Sequence, residues 1–377
     1  MPEGIRLRNG RYQARVSWYV GDKRREAVKT FATLAEARAW RTARLKELGD
    51  SGEVFETSSK PLGEYLTEWL DASEARLRPA TLEVYRHMIR NHLEPKLGDV
   101  PLNRLTPAKI QAFYRERGQA GVGSRSILYL HQTLHKALGA AVRLGYLREN
   151  PTDRVERPGH TPSERRPLTQ EELARLLEAA EGHPLEALFL LAATTGLRRG
   201  ELLALRWKDV DLDNAVVVVA RQLTEVAGRK MFGDLKTKAS RRVVPLLPVA
   251  VEALRQHRKR QLEERMAAGP YWQDEDLVFT THLGGPLQPN NITRRTFPDL
   301  LKKAGIDREG VSFHSLRHTT ATMLLMGGAG VKDVQGILGH ARADMTVNRY
   351  AHIVEESKRQ AVEKAADLLA PRTKRAR

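Results

Sequence analysis

From Arg11 to Val20 the chain reads RYQARVSWYV, with apolar and polar residues alternating as they do along a half-buried strand. Gly21-Asp22 then marks a turn, and REAVKTF, from Arg25, reads as a second strand. The period changes at Leu34. LAEARAWRTARLKEL spaces its apolar residues three to four apart, which predicts an amphipathic helix over 34–48 with Thr33 as N-cap and Gly49 to Gly52 as its end. Residues 1–57 therefore form a small α+β module. A unit of this size buries little surface and is marginal on its own.

From 58 to 158 the pattern is helical throughout. LGEYLTEWLDAS, ATLEVYRHMIRNHL, TPAKIQAFYRERG and a long run from Ser124 to Leu144 all show three-to-four spacing. Pro79, Pro95, Pro101 and Pro107 mark boundaries, because proline suits a first turn and breaks a helix interior. Arg76, Arg78, Arg86, Arg90, Arg125, Lys136 and Arg143 fall on the outer faces. The stretch ENPTDRVERPGHTPSERRPLT, from Glu149, has almost no apolar content and reads as an exposed linker. Thr169 and Glu172 then form a capping-box pattern that opens a new helix. The last segment, 159–377, mixes helices with strands at AVVVVAR from Ala215, RRVVPLL from Arg241 and LVFT from Leu277. GGAGVKDVQG, from Gly327, has no preceding strand and reads as a helix-to-helix turn rather than a phosphate loop. The fold class expected is multidomain, mainly α with small β-sheets: an N-terminal α+β module, an all-helical domain and a mixed α/β domain.

Composition narrows the partners. Over 377 residues the formal charge is +17, and the excess is spread along the whole chain, as suits a protein that meets a polyanion with every domain. Arg11, Arg15, Lys23, Arg24 and Arg25 on the N-terminal strands fit a DNA groove as well as a solvated sheet face. With no cysteine, disulfides and thiolate zinc sites are excluded. No signal-like run opens the chain and no stretch approaches a membrane span, so no membrane partner and a cytoplasmic location are expected.

Candidate chemistry lies late in the chain. TTGLRRGELLALRW carries Arg198, FHSLRHTTA carries His314 and Arg317, ILGH ends at His340, and NRYAH contains Tyr350. Attack on a phosphodiester needs a placed nucleophile, donors for the non-bridging oxygens and a proton for the leaving oxygen. The planar, permanently charged forks of Arg198 and Arg317 suit the second demand. His314 and His340 can add donors or move a proton near neutrality, and Tyr350 can attack if the site removes its proton. His314 and His318 stand four apart, but a zinc-protease pattern requires glutamate after the first histidine, where Ser315 stands. No metal is expected, and His318 reads as a buried supporting group.

Taken together, TGLRRGEL, HSLRHT, LGH and RYAH resemble the motif set of tyrosine recombinases of the phage integrase family. LKTKASRRVVPL resembles the family's lysine hairpin and places the lysine at Lys236, with Lys238 close by; Arg199 likewise adjoins Arg198, and the family register favours Arg198 and Lys236. The resemblance covers essentially the whole chain. It implies an arm-type DNA-binding module at 1–57, a helical core-binding (SAM-like) domain at 58–158, and a catalytic domain at 159–377. It further implies that Tyr350 forms a 3′-phosphotyrosyl link while Arg198 and Arg317 clamp the phosphate. Lys236 would protonate the leaving 5′ oxygen, His314 and His340 would support the phosphate or shuttle protons, and Glu201 would orient its neighbours. No metal, ATP or other cofactor is implied. The implied partners are double-stranded DNA attachment sites, a homotetramer on DNA, and a directionality factor or DNA-bending protein. Asp344 would cap a short helix carrying Tyr350, and an amphipathic helix from Glu355 would dock on a neighbouring protomer. Integration and excision of a mobile element is the favoured reading. A Xer-like dimer resolvase is the alternative, disfavoured by the N-terminal module, and a silent DNA-binding regulator is disfavoured by the full motif set.

Overall fold

The computed structural model describes residues 4–20, 23–51, 58–160, 165–235 and 240–339. Its contacts divide the chain into two units, Met1–Thr161 and Pro162–Arg377.

The first unit opens with an antiparallel meander of β1 (Ile5–Arg8), β2 (Arg11–Val20) and β3 (Lys23–Phe31). β1 was not anticipated. Its signal is Asn9-Gly10: both residues take positive φ, 51° and 71°, as a two-residue hairpin turn requires, and Arg8 faces Arg11 across them. The expected turn at Gly21-Asp22 lies outside the described residues, and β3 begins at Lys23 rather than Arg25. Helix α1 (Leu34–Ser51) starts as expected, since Thr33 Oγ1 accepts the Glu36 N–H at 3.3 Å and Glu36 Oε2 accepts the Thr33 N–H at 3.1 Å. It runs on through Gly49, where its end was expected. Trp40 packs against both small cores beneath the sheet, one around Ile5, Ala14 and Ala37, the other around Val16 and Ala27.

A separate core follows, built from α2 (Leu62–Ser73), α3 (Pro79–Met88), α4 (Glu94–Leu97), α5 (Pro107–Gln119) and α6 (Ser124–Arg143). Leu62, Tyr65, Leu66, Trp69 and Leu70 form one buried stripe of α2, and Tyr65 donates its hydroxyl to Ala137 O on α6 at 2.7 Å. Pro79 and Pro107 occupy first turns. Pro95 does not end a helix. A wide π-type turn at Ile89–Leu93, closed by the Glu94 N–H on Ile89 O, precedes it and absorbs the missing donor. Pro298 is accommodated in the same way by a π-type turn at Ile292–Thr296.

The expected exposed linker begins later than its composition suggests. Asn150, Pro151, Thr152 and Val155 are buried. Asn150 holds them there, accepting from the Thr152 N–H at 3.1 Å and donating to His135 O at 3.0 Å. One asparagine that satisfies two backbone groups lets a polar segment join the core.

In the second unit the capping box at Thr169 and Glu172 forms as expected and opens α7 (Gln170–Ala180). Helix α8 (Glu186–Thr195) is buried on nearly every side and leads into the short α9 (Arg199–Leu202). β4 (Val210–Asp211) and β5 (Val216–Val219) are followed by a hairpin of β6 (Arg221–Val226) and β7 (Arg229–Asp234), then by β8 (Arg242–Pro245). The sheet order is β4-β5-β8, all antiparallel. Helices α10 (Pro248–Ala268), α11 (Pro289–Asn291), α12 (Phe297–Lys303), α13 (Phe313–Met326) and α14 (Val331–Leu338) complete the unit. The glycine-rich stretch from Gly327 is the turn between α13 and α14, as read from the sequence.

LVFT, expected as a strand, makes only isolated bridges. The Val278 N–H donates to Leu205 O at 2.9 Å, and the carbonyls of the segment are met by side chains of α10: Val278 O accepts from His257 Nε2 at 2.7 Å and from Gln261 Nε2 at 3.0 Å. Gln261 also donates to Leu277 O at 3.1 Å and accepts the Trp207 indole N–H at 2.6 Å. Val278 and Phe279 are fully buried, so side-chain donors here replace a neighbouring strand. Among the described residues, no helix is long and apolar enough to cross a membrane.

Replacing Gln261 by leucine should therefore lower the stability of the second unit by about 2–3 kcal/mol, because several buried groups lose their partner together. Thermal unfolding combined with limited proteolysis around 277–286 measures this; an unchanged melting temperature would refute it.

Candidate active site

Helix α8 stops because Gly196 takes a left-handed φ of 62°. A Cβ at this position would lie 2.5 Å from Leu338 Cδ2 and 3.3 Å from Thr320 Cβ, so only glycine lets α8, α13 and α14 meet. The freed Gly196 carbonyl accepts Arg317 Nη1 at 2.8 Å. Four residues further on, a Cβ at Gly200 would meet Leu223 O at 2.6 Å, which presses α9 onto β6. The two glycines of TGLRRGEL thus set the backbone around Arg198.

Arg198 precedes α9. Its N–H donates to Glu201 Oε2 at 2.9 Å, its Nη1 to Glu201 Oε1 at 2.7 Å, and its Nη2 to Gly339 O at 3.1 Å. Arg317, on α13, is 3 % exposed and donates Nη2 to Leu338 O at 2.7 Å. A third arginine completes the arrangement. Arg242, at the start of β8, donates Nε to Ile337 O at 2.6 Å and Nη2 to Glu201 Oε2 at 2.9 Å. Three successive carbonyls, of Ile337, Leu338 and Gly339, each therefore receive one guanidinium. The last carbonyls of a helix lack intrahelical donors and carry the negative end of its dipole, so this is where cations bind best.

Glu201 is buried among these groups. Burial alone would raise its pKa, but the hydrogen bond and charge of Arg242, with the backbone N–H and charge of Arg198, outweigh it and hold the carboxyl below its ordinary value of 4.5. It stays ionised at neutral pH.

Arg199 turns away from this cluster, donating to Pro289 O at 3.1 Å and Thr293 Oγ1 at 3.0 Å. His314 lies one turn before Arg317 on α13, and its ring meets that of buried His318 edge-on with centroids 4.8 Å apart. Both His314 and Arg317 line a cleft of about 500 Å³ whose wall includes Arg165, Arg199, Arg308 and Phe297. The structure thus brings Arg198 and Arg317 onto one helix end and places His314 in the cleft that Arg317 lines. Lys236, His340 and Tyr350 lie outside the described residues, as do Asp344 and the segment from Glu355.

Arg242 was not singled out in the sequence, although a signal existed. In β8 it shares a face with Val244, which is 1 % exposed, while Val243 on the other face is 59 % exposed. A charged residue in phase with a buried valine must find partners inside.

Forked cations thus gather at one helix end, and the sequence has relatives in a known family. Residues 166–357 match the Phage integrase family and residues 62–116 match the phage integrase N-terminal SAM-like domain. A tyrosine recombinase XerC-like protein of Caldanaerobacter subterraneus is 34% identical over 328 residues, 81% of this chain and 83% of the relative. The integrase of Mycobacterium phage L5 is 30% identical over 375 residues, 96% of each chain. Among solved structures, the Tn1549 transposon integrase in complex with transposon right end DNA has a TM-score of 0.67 at 24% identity, covering 81% of this chain and 99% of that one. A lambda integrase dimer bound to a core site has a TM-score of 0.58 at 20% identity, covering 92% and 94%. The protein is an enzyme that breaks and rejoins DNA. The chain belongs to the phage integrase family, and its activity is that of a site-specific tyrosine recombinase.

The lowered pKa of Glu201 fixes a sign for pH dependence. A carboxyl depressed by folding adds stability above its unfolded value and loses it as pH falls through the folded value. Thermal melts of wild type and Glu201→Gln should thus differ most above pH 4.5 and converge below it. A constant difference across that range would contradict the buried ionised carboxylate.

Proposed function

We propose that this recombinase integrates and excises a phage or other mobile element, using Tyr350 as nucleophile and Arg198 and Arg317 as the phosphate clamp. The observation that carries the reading is the convergence of Arg198 and Arg317 on the α14 end, with the Arg198 side chain still 35 % exposed. Each guanidinium has five N–H donors, so protein carbonyls can fix the fork while an edge remains for phosphate oxygens. The tyrosine oxygen attacks the scissile phosphorus, the bond to the 5′ oxygen breaks, and a 3′-phosphotyrosyl ester forms. Lys236 gives the departing 5′ oxygen its proton, and His314 and His340 hold the non-bridging oxygens or take up the proton that the tyrosine hydroxyl loses. The ester conserves the bond energy, so a second 5′-hydroxyl can reverse the step without ATP.

The order of modules supports the mobile-element reading over dimer resolution, because an α+β module with a basic face precedes the helical region. We assign 1–57 to arm-type DNA contact, 58–158 to core-site contact and 159–377 to catalysis. A lambda integrase tetramer is known bound to a Holliday junction. By analogy of fold, four protomers of this chain act on two duplexes, with a directionality factor or bending protein setting the direction.

The test is a suicide DNA substrate carrying the element's attachment site, incubated in EDTA and resolved on a denaturing gel. Wild type should form a covalent protein–DNA adduct and Tyr350→Phe none. Binding without an adduct in either protein would overturn the reading in favour of a silent DNA-binding regulator. In the same assay Arg198→Ala should slow adduct formation by about 10²–10³-fold, the usual cost of losing a transition-state donor, whereas Arg199→Ala, whose guanidinium is held by Pro289 O and by Thr293 Oγ1 on the cleft wall, should slow it far less.

A further inference from the structure

We propose that Arg242 is a positioning residue for the cleavage step. It sets the fork of Arg198 through Glu201 and fixes the helix end that the clamp shares. The inference rests on the reading of Arg198 as a phosphate clamp.

Burial separates Arg242 from Arg198, although not from Arg317, which is 3 % exposed. The Arg242 side chain is 6 % exposed, against 35 % for Arg198. All three of its nitrogens are engaged by protein: Nε by Ile337 O, Nη2 by Glu201 Oε2, and Nη1 by Ser240 O at 3.0 Å and Glu201 Oε1 at 3.4 Å. Every nitrogen of the fork thus has a protein acceptor. Arg242 acts on what it holds.

What it holds is the carboxylate that orients Arg198. Each Glu201 oxygen is divided between the two arginines: Oε1 takes Arg198 Nη1 and Arg242 Nη1, and Oε2 takes the Arg198 N–H and Arg242 Nη2. With Arg242 in place the carboxylate has one orientation and so does the Arg198 fork. Without it, the carboxylate keeps Arg198 alone and can rotate. The other end of Arg242 controls the α14 terminus. Gly339, whose carbonyl receives Arg198, is packed so closely on this guanidinium that an added Cβ would lie 2.8 Å from Nη1 and 3.1 Å from Cζ. Arg242 therefore touches both groups that fix Arg198, the carboxylate from one side and the helix end from the other. A buried ion pair adds little net stability once its desolvation is counted, which is consistent with a role in geometry. Lysine, a point charge without a fork, reproduces only part of this set.

The experiment uses full-length protein in the suicide-substrate assay with Arg242→Gln, Arg242→Lys, Glu201→Gln and the Arg242→Gln/Glu201→Gln double variant, alongside DNA affinity and thermal melts. Arg242→Gln should slow adduct formation by about 100-fold, the scale set by a displacement near 1 Å, while DNA affinity stays unchanged. Arg242→Lys should fold as wild type and recover part of the rate. The double variant should be no slower than the worse single one, because both act along one path. The proposal is overturned if Arg242→Gln cleaves at the wild-type rate, if the folded Arg242→Lys variant loses affinity in step with rate, or if the losses multiply in the double variant. Absence of any adduct with wild type would instead sink the clamp reading itself.

Discussion

A carboxylate removed from water must be met by positive charge, and Glu201 is met by Arg198 from its own turn and Arg242 from β8. Much of the second unit follows from that constraint. Two guanidiniums around one carboxylate leave an excess of positive charge, to which Arg317 adds, and the carbonyls of Ile337, Leu338 and Gly339 accept from all three arginines. The result joins α8, α9, β8, α13 and α14 at one point. It also leaves the Arg198 side chain 35 % exposed at the margin of the cluster.

Close approach is the second constraint. Gly196, Gly200 and Gly339 each stand where a Cβ would strike a neighbouring side chain or backbone oxygen, and two of them also take a left-handed φ. They allow short helices to converge tightly enough for arginines to reach successive carbonyls. A methyl group at any of these positions would push apart the elements that carry the arginines. The motif glycines of this chain are thus spacers for the charged cluster rather than loop residues.

The N-terminal module is held by a small core rich in aromatics. In this chain, Tyr12, Phe31, Leu34 and Trp40 supply most of the apolar surface of a core whose fully buried members are few. Large aromatics let so small a module hold together.

Periodicity determined the elements that have a clear period: the alternating β2, the amphipathic α2 and α6, and the capped starts of α1 and α7. Each depends on neighbours in sequence, so local spacing carries it. The motifs that carry Arg198 and Arg317 were legible too, and the fold brings both side chains to one helix end. The sequence was silent where a partner came from far along the chain. LVFT has the composition of a strand, but His257 and Gln261 on α10 satisfy its carbonyls in place of one. Asn150 anchors a polar stretch that looked exposed, and a wide turn lets a helix pass Pro95. Which of Arg198 and Arg199 faces the α14 end, and that Arg242 stands behind it, are likewise matters of long-range contact. A hydrogen bond between residues a hundred positions apart leaves no periodic trace, and only the folded chain decides it.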